Sequence, residues 1–135
     1  MTHDDCIFCK MVNKEIPAKY IDENDDVIAF LSIQNHPLII TKKHMENIYE
    51  MDAETGRHVM AMAIRIAKAV KKGLSADGVN LVQNNEEAAG QEVMHFHLHI
   101  KPRFKQDQVI MHFPVEDVGE EKRMNTVDRI KSALD

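Results

Sequence analysis

The sequence predicts a single α+β domain with an antiparallel sheet, on the basis of three observations. The 135 residues are 44% hydrophobic and 29% charged, as is typical of one globular domain that buries its own core. Short apolar runs between turn residues, such as 27–31 and 38–41, indicate strands. A long amphipathic helix is predicted after Asp52. A turn at 22–26 joins the short run 20–21 to the run 27–31 as a hairpin, so we expect antiparallel pairing.

The first part of the chain predicts a short helix followed by the hairpin. Apolar residues between Cys6 and Glu15 are spaced as on one side of a helix, which should stop before Ile16-Pro17. Residues 20–21 and 27–31 are the two predicted hairpin strands. Residues 38–41 predict a third strand, closed by Lys42-Lys43-His44.

The long helix is the strongest secondary-structure signal. Asp52 is a predicted N-cap, and Gly73 and Gly78 mark the end. An apolar stripe at helical spacing consists of Val59, Ala63, Ile66, Val70 and Leu74. The basic residues on the opposite side are assigned no function, because such residues are typical of a solvated helix face. A strand is predicted at 79–84, and weaker patterns suggest a strand at 109–113 and a short helix at 127–134.

Three histidines alternate with bulky apolar residues between Gly90 and Ile100, which predicts a strand over this stretch. Successive side chains of a strand point to opposite faces, so we expect His95, His97 and His99 to share one face. The apolar residues between them should pack into the core. Aligned imidazoles suit either metal ligation or the chemistry of anions.

Composition excludes several classes of function. The net charge of −5 argues against a general nucleic-acid-binding protein, which needs clustered Lys and Arg. The first residues are acidic and lack an apolar run, so we expect no signal peptide, no membrane span and a cytoplasmic location. Cys6 and Cys9 are the only cysteines, and in a cytoplasmic protein their spacing favours metal or redox use over a structural disulfide.

The histidine strand, preceded by Gly-Gln-Glu-Val, resembles the histidine triad (HIT) family of nucleotide hydrolases and transferases. An upstream His36 and the Lys42-Lys43-His44 corner add to the likeness. The resemblance covers about 6–103, so we expect a single HIT domain over 1–135 with a peripheral extension at 104–135. It implies a five-stranded antiparallel sheet with a long and a short helix, and a symmetric homodimer.

The resemblance also implies the catalytic residues. His97 would attack the α-phosphorus of a nucleotide and carry a covalent nucleotidyl group until water releases it. A neutral imidazole can do this if its second nitrogen donates to a fixed acceptor such as a backbone carbonyl. His99 would neutralise charge on the phosphoryl group, and His36 would orient the imidazoles.

The expected nucleotide is a purine nucleotide such as AMP. Because phosphoryl transfer depends on positioning and electrostatic stabilisation, the predicted phosphate-binding residues are the polar or loop residues Asn84, Gly90, Gln91, Glu92 and Val93. The resemblance places Phe8, Phe30 and Ile33 at the base as walls of a purine pocket. Ser32 stands where many relatives have an acidic residue that holds the ribose.

The resemblance further implies a Cys2His2 zinc site formed by Cys6, Cys9, His44 and His95. Four protein ligands leave no open position on a tetrahedral ion, so the zinc would be structural and catalysis would need no cofactor. It would hold the N-terminal helix against the sheet. The remaining histidines, which have no partner pattern, are expected at the surface: His3, His58 and His112.

The leading hypothesis is a hydrolase that cleaves a phosphorus-linked leaving group from a nucleoside monophosphate, in a phosphoramidate or a dinucleoside polyphosphate. A histidine at position 99 favours hydrolysis, since the family's uridylyltransferases carry glutamine there. One alternative is a zinc-dependent hydrolase or oxygenase that uses the H-x-H strand as metal ligands with an open site. The other is a nucleotide-binding module that has lost turnover.

Overall fold

The computed structural model describes residues 4–135, and it contains one five-stranded antiparallel sheet of strand order β1-β2-β3-β5-β4. The strands are β1 Lys19–Glu23, β2 Val27–Leu31, β3 Pro37–Thr41, β4 Gly78–Gln83 and β5 His97–Arg103. The predicted α+β class and antiparallel sheet are confirmed. The last strand of the chain therefore lies inside the sheet, between β3 and β4.

Three α-helices accompany the sheet: α1 Ile7–Val12, α2 Ala53–Gly73 and α3 Glu120–Ala133. The predicted N-cap of α2 is confirmed, because the Asp52 carboxylate accepts a hydrogen bond from the Thr55 amide at 2.8 Å. Helix α1 ends three residues earlier than predicted, since Lys14 has a left-handed φ of 61°. No helix within 4–135 combines the length and the apolar character needed to cross a membrane.

The sheet has two apolar faces, as expected when neighbouring side chains of a strand alternate. One face packs against α2, whose Val59, Ala63, Ile66 and Val70 are buried there with residues of β2, β3 and β5. Phe96, Leu98 and Ile100 belong to this core, as predicted from the alternation. Leu74 is half-exposed, so the predicted stripe is one residue too long.

The second face carries α1 and the histidines of β5. Phe8 of α1 packs there against Phe30 and the strand residues Ile28, Leu38 and Ile40. In the β3–β5 register, Leu38 pairs with His99 and Ile40 pairs with His97. Paired residues point to the same side of a sheet, so both histidines project toward α1.

The histidine strand is shorter than predicted. It begins at His97, and His95 lies in a bend before it. The β3–β5 pairing stops at Ile40 and His97, and the Phe96 amide donates instead to the Met45 carbonyl at 2.7 Å. The expectation that three histidines align within one strand was therefore wrong for His95.

The C-terminal segment 104–135 lies almost wholly in solvent. The predicted strand at 109–113 is absent, and the predicted helix is longer than expected, as α3. Several apolar side chains of this segment are more than half-exposed, among them Ile110, Phe113, Met124 and Ile130. An apolar run forms a strand only where another strand can pair with it, and this one has no such neighbour within the described chain.

Candidate active site and metal centre

His97 is held in a single tautomer. Its Nδ1–H donates to the backbone carbonyl of His95 at 2.7 Å, because a carbonyl oxygen can only accept. The proton therefore sits on Nδ1, and Nε2 carries a lone pair. Every buried side-chain nitrogen and oxygen within 4–135 has a hydrogen-bond partner. Nε2 of His97 has none there, so this atom is not buried. This lone pair is consequently open to solvent or a ligand.

His99 and His36 form a second imidazole pair beside His97. Nε2 of His36 and Nδ1 of His99 are 2.9 Å apart, and the rings of His97 and His99 are 5.1 Å apart. Burial, together with the neighbouring His97, His36 and Lys101, lowers the pKa of His99 to about 4. Burial and then Lys101 also lower the pKa of His36. Both rings are therefore neutral at pH 7, and one donates a hydrogen bond to the other.

Lys101 is a site residue that the sequence interpretation missed. It continues the alternation of His97 and His99 by one more step, so it lies on the same face of β5. Its ammonium contributes to the lowered pKa of both His36 and His99. The signal was present in the sequence, since the period of two does not stop at the third histidine.

An apolar cavity of about 480 Å³ opens beside the histidines. Its size is within the range of pockets for small ligands. It is lined by residues of α1, β2 and the β2–β3 turn, among them the predicted Phe8, Phe30, Ser32 and Ile33, and also by Met11, Leu38 and Val93. The Phe8 ring meets the His97 ring edge-on at 5.2 Å, so the cavity and the imidazoles share a wall.

Ser32 and Ile33 lie at the rim of this cavity. The Ser32 hydroxyl accepts a hydrogen bond from the His36 amide at 3.3 Å, which closes the tight turn between β2 and β3. Ile33 is fully exposed. Side chains at this rim can contact a ligand without any change in the core.

The loop between β4 and β5 is fixed by Gln91. The side chain of Gln91 is buried, and its Oε1 accepts a hydrogen bond from the backbone N–H of Glu86 at 2.7 Å. Its Nε2 donates to the backbone carbonyls of Glu46 and Val93 at 2.6 and 3.0 Å. Asn84 donates to the carbonyl of Gly90, whose φ of 89° favours glycine. The structure thus gives Gln91 a role within the loop, and Glu92 beside it is exposed. Contacts of the five predicted loop residues with phosphate stay predictions.

The structure brings the four predicted metal ligands together. The ligand atoms of Cys6, Cys9, His44 and His95 all lie within 4.8 Å of one another, and no other such group is found within 4–135. Nδ1 of His95 is 3.3 Å from Sγ of Cys6 and 3.5 Å from Sγ of Cys9, and Nδ1 of His44 is 3.2 Å from Sγ of Cys9. Tetrahedral Zn²⁺ with sulfur and nitrogen ligands separates them by roughly 3.3–3.8 Å. These residues could hold a metal ion.

The orientation of His95 fits a metal ligand. Its ring is fully buried, and Nε2–H donates to the carbonyl of Thr41 at 2.8 Å. This bond leaves the Nδ1 lone pair directed at the two thiols. Histidines that bind a metal usually donate their other N–H to a carbonyl or carboxylate in this way.

The other histidines lie apart from these sites. His58 is partly exposed and contacts the Asp26 carboxylate through Nδ1, and His112 is exposed. Both positions agree with the surface location expected for them. His3 lies outside the described residues.

Comparison with known proteins gives the family. The model of the HIT domain matches residues 13–106, which is more than half of the chain. The chain belongs to the HIT family. A HIT-like protein of Methanocaldococcus jannaschii is 39% identical over 130 residues, covering 93% of this chain and 96% of its own. Adenosine 5'-monophosphoramidase HNT1 of Saccharomyces cerevisiae is 37% identical over 122 residues, covering 87% of this chain and 75% of its own.

Several solved structures share this architecture, and one of them is described as a member of the HIT family of proteins from Bacillus subtilis, with a TM-score of 0.89 at 33% identity, covering 98% of this chain and 99% of its own. A structure from Streptococcus mutans UA159 superposes with a TM-score of 0.90 at 37% identity, covering 99% of this chain and 88% of its own. A zinc-bound histidine triad family protein of Mycobacterium smegmatis superposes with a TM-score of 0.74 at 33% identity, covering 96% of this chain and 98% of its own. The predicted HIT-like fold is thereby confirmed, and the Cys2His2 group fits a zinc-bearing member of the HIT family.

Proposed function

We propose that this HIT protein is a nucleotide hydrolase that releases a nucleoside monophosphate through a covalent nucleotidyl-histidine intermediate. The observation that most directly supports this reaction is the 2.7 Å bond from Nδ1–H of His97 to the His95 carbonyl. It leaves the Nε2 lone pair of His97 as a nucleophile, and Phe8, whose ring contacts His97, lines a cavity of nucleoside size. The similarity to the yeast phosphoramidase supports the reaction class.

In the first step, Nε2 of His97 attacks the α-phosphorus and forms a P–N bond. The bond from phosphorus to the leaving oxygen or nitrogen breaks, and the leaving group takes its electron pair and picks up a proton from solvent. The imidazole becomes positively charged as it is nucleotidylated, and the His95 carbonyl stabilises that charge through Nδ1–H. In the second step, water attacks phosphorus and loses a proton to solvent, the P–N bond breaks, and the monophosphate leaves as His97 regains its lone pair.

The neutral pair of His99 and His36 would stabilise the phosphoryl group. If Nε2–H of His36 donates to Nδ1 of His99, then His99 carries its own proton on Nε2 and can donate it to a phosphoryl oxygen. A low pKa keeps His99 neutral at pH 7 without removing this donor. Lys101, on the same face, adds a positive charge that favours an anionic substrate.

The apolar cavity would take the base and ribose of a purine nucleotide such as AMP. Phe8 and Phe30 supply aromatic surface, and their ring centroids are 5.9 Å apart. Ser32 at the rim offers a hydroxyl to the ribose, which is a weaker partner than a carboxylate. The substrate would be a nucleoside phosphoramidate or a dinucleoside polyphosphate.

We propose that the Cys2His2 group holds a structural zinc ion. Cys6, Cys9, His44 and His95 provide four ligands, so a bound ion would have no open position for substrate. A bound Zn²⁺ would tie α1 to the bend before β5, and catalysis would need no further cofactor. Reduced thiols in such a site are typical of a cytoplasmic protein, and we propose this location.

A homodimer is the proposed assembly. The segment 104–135 exposes large apolar side chains, among them Ile110, Phe113 and Val115, and exposed apolar patches mark protein–protein interfaces. Strand β4 is an edge strand, and Leu81 on it and Ile64 on α2 are about half-exposed. Light scattering after size exclusion should give twice the mass of one chain, and a monomer at micromolar concentration would refute the dimer.

The decisive test is mass spectrometry of a reaction stopped in denaturant. Adenosine 5'-phosphoramidate and a diadenosine polyphosphate serve as substrates, and a nucleotidyl adduct is expected on the peptide that contains His97. His97→Ala should show no adduct, whereas His112→Ala, which changes an exposed histidine, should react like the wild type.

The same experiment separates the alternative functions. Tight binding of AMP with neither adduct nor product would favour a binding module without turnover. Product that forms without an adduct and disappears on chelation would favour a zinc-dependent hydrolase. The second outcome is disfavoured because the group that could hold a metal ion within 4–135 includes neither His97 nor His99.

A further inference from the structure

We propose that His95 is a positioning residue through which the metal centre controls the nucleophile. Its ring belongs to the metal-binding group, and its backbone carbonyl sets the tautomer of His97. Occupancy of the metal centre would therefore determine whether the lone pair of His97 is presented to the nucleotide. This inference rests on the proposed role of His97, but its geometric part can be tested without substrate.

His95 makes every contact that the coupling needs. On one side of the ring, Nδ1 faces the two thiols at 3.3 and 3.5 Å. On the other side, Nε2–H donates a hydrogen bond to the Thr41 carbonyl at 2.8 Å. The carbonyl of the same residue accepts a hydrogen bond from Nδ1–H of His97 at 2.7 Å. A shift of the ring would be transmitted to the carbonyl, because both are attached to the same Cα.

The backbone at His95 is not paired within the sheet, and its peptide unit is held by a bond from the Phe96 amide to the Met45 carbonyl at 2.7 Å. The β3–β5 pairs begin at His97, and His95 lies in the bend before the strand. Its position therefore depends on its side chain more than that of a residue within a ladder does. A metal ion would fix that side chain with a bond far stronger than a neutral hydrogen bond in water.

Phe8 provides a second link between the metal centre and the nucleotide site. It lies between Cys6 and Cys9 in the chain, and its ring is 5.7 Å from that of His95 and 5.2 Å from that of His97. It also lines the apolar cavity. Helix α1 has only six residues, which is too short to be stable alone, so its position depends on its anchors.

Loss of the metal should consequently change two separate quantities. His97 should sample both neutral tautomers, and adduct formation should slow by at least about tenfold because the nucleophile is misaligned. The Kd for AMP should rise by about two- to tenfold as the aromatic wall at Phe8 loosens.

His44 is the ligand to change, since it contacts Cys9 and His95 and lies outside the lining of the apolar cavity. His44→Ala removes one ligand. His44→Cys leaves three cysteines and one histidine, a ligand set that also binds zinc. Its Sγ would replace Nδ1 of His44, and both atoms lie close to the backbone of the residue. Val59→Ala, in the core on the opposite face, is a control for general loss of stability.

The primary measurement is the ring ¹⁵N spectrum of His97 at pH 8 without nucleotide, together with bound zinc by elemental analysis. We expect one tautomer, protonated on Nδ1, in the zinc-loaded wild type, in His44→Cys and in Val59→Ala. We expect averaging between tautomers in His44→Ala. Wild-type protein stripped with a chelator should behave like His44→Ala, which keeps the test available if that variant is poorly folded.

Three results would overturn the coupling. The first is a wild type that takes up no zinc. The second is a metal-free protein in which His97 keeps its Nδ1 proton. The third is the same averaging in Val59→Ala, which would mean that lower stability alone releases the ring. Failure of the hydrolase proposal would look different, because the wild type would then form no adduct while its His97 tautomer still followed the metal.

Discussion

The lowered pKa of His99 should make the stability of the protein depend on pH in a way that can be attributed to one side chain. The test replaces His99 with Gln, which does not titrate, and compares the two proteins between pH 7.5 and 4. The folded pKa is about 4, against an ordinary value of 6.5. Below pH 6.5 the unfolded chain therefore binds a proton that the folded chain refuses.

The sign and size of the effect follow from this gap. Stability from neutral His99 is fully present above pH 6.5, and it is lost as the pH falls toward 4. About 2.5 pH units at 1.36 kcal/mol each correspond to about 3.4 kcal/mol. Because His99 is partly exposed, solvent screens part of this, and we expect a loss of about 2 kcal/mol.

Urea unfolding at a series of pH values measures this quantity. The wild type should lose about 2 kcal/mol more than His99→Gln between pH 6.5 and 4. Carboxylates and acid release of metal affect both proteins, so they largely cancel in the difference. Parallel curves for the two proteins would show that His99 is not buried as a neutral base.

Three further predictions concern the nucleophile, the loop and the metal. His97→Ala should reduce turnover by at least about 10³-fold while AMP binds within about threefold of the wild type, measured by product release and calorimetry; comparable turnover would exclude His97 as the nucleophile. Gln91→Ala should cost about 1–3 kcal/mol in urea unfolding, because the groups of Glu86, Glu46 and Val93 lose their partner; an unchanged midpoint would contradict the loop role. Chelation should speed hydrogen exchange in 7–12 and leave α2 protected, and equal acceleration of both would show that the metal supports the whole fold.

Elements with strong periodicity and local end signals could be predicted from sequence. The strand at 27–31 was predicted with its observed bounds, and the long helix begins after the predicted cap at Asp52. Both depend on contacts that the local pattern encodes, namely alternation on a buried strand and a side chain that accepts from a nearby amide.

The start of the histidine strand could not be predicted in the same way. The alternation runs through His95, but the ring of that residue is drawn to groups 89, 86 and 54 positions away, on Cys6, Cys9 and Thr41. A period of two carries no information on such distant partners. The missed role of Lys101 had the opposite cause, since there the same alternation continues and was not followed far enough.

The position of β5 within the sheet bears on how the protein is made. It is the last strand to leave the ribosome, yet it pairs with β3 on one side and with β4 on the other. Until residue 103 has been synthesised, β4 has no complete strand to pair with. The thiols of Cys6 and Cys9 likewise lack one member of their group until His95 has been made. A nascent chain therefore closes its sheet, and brings the histidines of β5 beside α1, only in one late event.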